Sequence, residues 1–74
     1  MADGFIHTVA KDGQWINEVE GGNAIGGVHA TKDEAVATGR ARAQADQTEH
    51  VIHNQDGTIG ERNSYGNDPT SSKG

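Results

Sequence analysis

Apolar and polar positions alternate along much of the chain. Phe5-Ile6-His7-Thr8-Val9-Ala10 is a β-branched and aromatic run, and Trp15-Ile16-Asn17-Glu18-Val19-Glu20 alternates in part, so both read as strands. Lys11-Asp12-Gly13-Gln14 lies between them, and its Asp-Gly pair supplies the positive φ that a tight hairpin requires. The same logic pairs Glu49-His50-Val51-Ile52-His53 with Thr58-Ile59-Gly60-Glu61-Arg62 around Asp56-Gly57. The glycine-rich stretch from Gly21 to Ala30 reads as a loop, with room for a short extended piece at Ile25 to His29.

A helix signal follows. Thr31-Lys32-Asp33-Glu34 is a capping box, flanked by Ala30 and Ala35 at the staple positions. Acidic Asp33 and Glu34 precede basic Arg40 and Arg42, the order that complements the helix dipole. The helix is predicted from about residue 32 to 46, with an inner stripe of Ala35, Val36, Gly39, Ala43 and Ala45. Glycine costs about 1 kcal/mol relative to alanine inside a helix, so Gly39 points to a close contact. Trp15 on the sheet is the expected partner of Gly39, the alternative being that Gly39 is merely tolerated. The predicted class is α+β, a two-layer sandwich of order ββαββ, with two hairpins in one sheet and one helix on one of its faces. Residues 1–66 form the single predicted domain, and 67–74 a polar, disordered tail.

Composition narrows this picture. With 74 residues, 31 % hydrophobic residues and no leucine, the core is thin, so hydrogen bonds, tight turns or a partner subunit must contribute to stability. The absence of cysteine excludes disulfides, thiolate catalysis and cysteine zinc sites. Met1-Ala2-Asp3-Gly4 opens with neither a basic region nor an apolar stretch, so the expectation is a cytoplasmic chain with no signal peptide or membrane span. The net charge of −5, with Lys11, Lys32, Arg40, Arg42, Arg62 and Lys73 scattered, makes nucleic acid an unfavourable partner.

Strand parity then selects the inner face. One parity groups Phe5, His7, Val9, Trp15, Asn17, Val19, Val51, His53, Ile59 and Glu61; it holds both large aromatics and is expected beneath the helix. That choice places the polar residues His7, Asn17, His53 and Glu61 on or beside the covered face, where they can share one hydrogen-bonded cluster. A histidine pair with a carboxylate can bind a metal or move a proton; the same four residues can equally be a structural cluster or reach solvent at strand ends. The opposite parity leaves Ile6, Ile16 and Ile52 together on the outer face, which suggests self-association through that patch or through a sheet edge.

Other motifs carry less. A spacing of three directs His50 and His53 to opposite faces of a strand. Gly21-Gly22 and Gly26-Gly27 lack the Lys and Ser/Thr of a phosphate loop, and Ser64, Ser71 and Ser72 lack a nucleophile elbow. No catalytic residue, cofactor or resident metal is expected.

The residues do resemble a family. Ile6-His7 leading to Val9, Asp12-Gly13-x-Trp15, Thr31-Lys32-x-Glu34-Ala35 with Gly39-Arg40, Val51-Ile52-His53 with Asp56-Gly57-x-Ile59, and Glu61-Arg62-Asn63-Ser64-Tyr65-Gly66-Asn67-Asp68-Pro69 are similar to the bacterial domain-of-unknown-function family 2188. The resemblance covers nearly the whole chain and implies a small, standalone bacterial protein without implying an activity. Ala10 stands where that family usually has proline, and Thr70-Ser71-Ser72 replaces a usually aromatic and proline-rich tail. The function expected is a non-enzymatic module that binds a protein partner or a second copy of itself. The alternative is a small nucleic-acid-binding or regulatory protein.

Overall fold

The computed structural model describes residues 4–65, in which β1 (Ile6–Lys11), β2 (Gln14–Val19) and β3 (Ala24–His29) precede α1 (Lys32–Asp46), β4 (Glu49–His53) and β5 (Ile59–Ser64). The order is therefore βββαββ, which corrects the expected ββαββ by one strand. The five strands form one sheet in the order β3-β2-β1-β4-β5, with β1 and β4 parallel at its centre and the other neighbours antiparallel. Each element follows from local chemistry. Asp12 and Gly13, at φ 54° and 82°, close the β1–β2 hairpin in the left-handed region. Thr31 caps α1 by accepting a hydrogen bond from the Glu34 amide at 3.2 Å, and Gln47 ends it at φ 55°. The predicted tail lies outside the described residues.

The added strand is β3, which realises as a full sheet strand the extended piece for which the loop left room at Ile25 to His29. Four glycines hide its pattern, and Gly26 and Gly27 adopt φ of 76° and 81° where the register with β2 shifts between Ile16 and Asn17. An edge strand with a single neighbour tolerates such a bulge. Gly26 also lets the helix approach, since a Cβ there would stand 2.9 Å from Thr38 Cγ2.

Helix α1 connects β3 to β4 and packs on β1, β2, β3 and β4, leaving β5 uncovered. Beneath it lie Ile6, Thr8, Asn17, His50 and Ile52, closed over by Ala35, Gly39 and Ala43, all buried. The cross-strand register fixes this face: Thr8 sits between Asn17 and Ile52, and Ile6 beside His50.

The expected inner face is correct for β2 and reversed for β1 and β4. Asn17, Trp15 and Val19 share the helix side, whereas the register places His7, Val9, Val51 and His53 on the side the helix leaves open. Choosing a face by its aromatics failed because both aromatics are marginal. Trp15 lies half-buried beneath the Lys32 ammonium, 5.4 Å from the ring centroid, and Phe5 lies beside Arg62 at 5.8 Å. The polar residues Thr8, Asn17 and His50 occupy the centre instead. Two further expectations are corrected by the same reversal. Ile6 and Ile52 are buried under the helix and Ile16 faces the other way, so they form no joint patch. Gly39 meets Thr8, Asn17 and His50 rather than Trp15.

Candidate functional site

Two polar clusters occupy opposite faces of the central strands. The one beneath the helix is closed. Thr8 Oγ1 donates to Asn17 Oδ1 at 2.5 Å and lies 2.6 Å from His50 Nε2, while Asn17 Nδ2 donates to the Ala35 carbonyl at 2.9 Å. Thr8 has one hydroxyl proton, and it goes to Asn17; His50 must therefore donate from Nε2 to the Thr8 oxygen. That tautomer leaves His50 Nδ1 as a lone pair, and this atom is buried without a partner. Burial holds the His50 pKa below its ordinary 6.5, helped by the positive charge of Arg40 and, more weakly, by His7, against the opposing pull of Glu61. The cluster is a packed polar core, shut from solvent by Gly39.

The other cluster faces solvent. In the parallel ladder His7 sits opposite Val51, which makes His53 its diagonal neighbour on the same face. His7 Nδ1 stands 2.9 Å from His53 Nε2, with ring centroids 5.1 Å apart and planes tilted by 35°. Across the hairpin His7 sits opposite Glu18, so Glu20 is the diagonal neighbour on that side, and its Oε1 lies 3.0 Å from His7 Nε2. The backbone holds Glu20 in place. Its amide donates to the Phe5 carbonyl at 2.8 Å, and the turn beyond it is closed by Gly22 donating to Val19 at 2.8 Å. A cleft of about 440 Å³ opens beside the three side chains, between Val9, Glu18 and the Gly21-Gly22 turn.

An ionised carboxylate only accepts hydrogen bonds, so Glu20 fixes His7 with its proton on Nε2 and its lone pair on Nδ1. The chain Glu20···His7···His53 is thereby directional, with His53 donating to His7. Among the described residues no group of three or more His, Cys, Asp or Glu converges as a metal cage.

Of the four residues expected to cluster, the structure brings together two. His7 and His53 meet on the open face; Asn17 belongs to the cluster beneath the helix, and Glu61 is exposed on β5, accepting from Asn63 Nδ2 at 2.9 Å. The missed members are Glu20, Thr8 and His50. Glu20 had a usable signal, because the Asp12-Gly13 turn sets the hairpin register and hence the His7 diagonal. Thr8 and His50 share a parity, but it is the one expected to face solvent.

Among the described residues no helix is long and apolar enough to cross a membrane. No curated protein and no solved structure matches the chain. A family model described as an uncharacterised protein conserved in bacteria, DUF2188, matches residues 6–65. The match begins with the first residue of β1 and ends one residue past β5, so it takes in both histidine clusters, Gly39 and both Asp-Gly turns. The chain belongs to the DUF2188 family of bacterial proteins.

Proposed function

We propose that the chain is a small non-enzymatic interaction module that self-associates through the sheet face opposite α1. One observation carries this reading. Val9, Ile16 and Val28 are direct cross-strand partners on β1, β2 and β3, forming an apolar row on the face away from the helix, in which Ile16 is buried, Val9 half-buried and Val28 59 % exposed. A single isolated apolar residue needs no partner, but a continuous row with an exposed end favours burial against another surface.

The register supports a second copy as that surface. Lys11 and Gln14 flank one side of the row, and His7 and Glu18 flank the other. A two-fold axis along the row sets Lys11 of one copy against His7 of the next, one strand from Glu18, and Gln14 against Glu18, so polar partners border the apolar row and the lysine ammonium lies near a carboxylate. Edge-to-edge pairing is the weaker route, because β3 is bulged by Gly26 and Gly27, and β5 carries Glu61 and Arg62.

Sedimentation equilibrium tests the reading. The wild-type chain is expected to form dimers at high micromolar concentration, and Val28→Glu to remain monomeric. A wild-type chain that stays monomeric, or a Val28→Glu variant that dimerises as tightly, overturns it.

A further inference from the structure

We infer that His7 and His53 form a binding site for a divalent cation of the zinc class, a proposal that does not rest on self-association, although its cleft shares His7, Val9 and Glu18 with that contact. The geometry supplies its parts. Glu20 holds the His7 proton on Nε2 and so presents the Nδ1 lone pair to the cleft, where His53 Nε2 converges on it at 2.9 Å. In the metal-free chain one proton, on His53 Nε2, lies between the two nitrogens. A cation takes the place of that proton, which moves to His53 Nδ1 by a change of tautomer, leaving the protein's proton count unchanged.

The distances are compatible with this exchange. Zinc–nitrogen bonds of about 2.0–2.1 Å at a tetrahedral angle set two ligand nitrogens about 3.3–3.4 Å apart. The rings therefore separate by roughly half an ångström, which two side chains at a cleft wall can accommodate. Glu20 then serves as the outer carboxylate that orients a metal-bound imidazole through its far nitrogen.

Charge selects a cation. The cleft is lined by Glu18 and Glu20 and by no lysine or arginine, and the chain as a whole carries −5. Imidazole donors prefer zinc, copper or nickel to magnesium or calcium, which favour oxygen. With two protein ligands, the remaining coordination positions open to the cleft and to water.

The test is a zinc titration of the full chain, followed by imidazole ¹⁵N NMR and by calorimetry. The His7 and His53 nitrogens are expected to shift together, while His29 and His50 stay unmoved and magnesium has no effect. His53→Ala should abolish binding, His29→Ala should retain it, and the conservative Glu20→Gln should weaken it about 10–100-fold. Far-UV circular dichroism confirms that each variant is folded. Repeating the titration on Val28→Glu separates metal binding from self-association, and the same shifts are expected there. Zinc that leaves His7 and His53 unmoved, or an affinity indifferent to His53→Ala, overturns the site.

Discussion

Replacing Gly39 with alanine pits helix propensity directly against packing. On propensity alone the change stabilises an interior helical position by about 1 kcal/mol. The added methyl meets three polar atoms beneath the helix: Asn17 Oδ1, His50 Nε2 at 2.7 Å and Thr8 Oγ1 at 3.0 Å. None of these is the free end of a flexible chain, because each is fixed by the hydrogen bonds that join Thr8, Asn17, His50 and Ala35. Making room means either lifting α1 or breaking one of those bonds. Overpacking of this kind costs about 1–3 kcal/mol, and a buried polar group left unpaired costs a further 1–3 kcal/mol or so. After the propensity gain the expected loss is about 1–5 kcal/mol. In a domain of this size each kcal/mol lowers the thermal midpoint by about 4–8 °C. Urea and thermal unfolding, followed by circular dichroism, measure the loss. Ala37→Gly on the exposed side of the same helix calibrates the propensity contribution on its own. A Gly39→Ala midpoint equal to or above that of the wild type refutes the close contact.

Asn17→Ala strips a partner from both the Thr8 hydroxyl and the Ala35 carbonyl, and should cost about 2–5 kcal/mol in denaturant unfolding. His50 gives stability a pH dependence. Its folded pKa is lowered, so below about pH 6.5 the unfolded chain takes up a proton that the native state resists. Its contribution is therefore complete above that pH and declines as pH falls towards the folded pKa. His50→Gln keeps an amide donor but cannot titrate, so its denaturation midpoint should fall less steeply between neutral pH and pH 5 or so. Arg62→Ala removes an exposed pair in which Arg62 Nε lies 2.7 Å from Glu49 Oε1, and should change stability by less than about 1 kcal/mol in the same assay.

The local grammar of the chain was readable and its central register was not. Thr31 and Glu34 marked the start of α1, Asp12-Gly13 and Asp56-Gly57 marked the turns, and Gly39 announced a close approach, because each of these signals acts over a few residues. Strand β3 was legible only as an optional extended piece at Ile25 to His29, because its glycines, which serve a bulge at a sheet edge, look the same as loop glycines. The inner face of β1 and β4 escaped for a different reason. Hydrophobic parity assumes that the middle of a sheet is apolar, whereas here Thr8, Asn17 and His50 satisfy one another and can be buried. That mutual satisfaction depends on the parallel pairing of β1 with β4, a contact between residues more than forty positions apart. The His7–His53 pair is legible all the same, since both residues share one parity and reversing both strands together keeps them on one face.

The division of the histidines between the two faces of the sheet is most directly tested by long-range ¹H–¹⁵N NMR of the imidazole rings in the metal-free chain. His7 and His50 should each show a fixed Nε2–H tautomer, with a through-hydrogen-bond coupling between His7 Nδ1 and His53 Nε2 and none between His50 and either of them. Four imidazoles averaging freely between tautomers, or a coupling that joins His50 to His7 or His53, would contradict the arrangement.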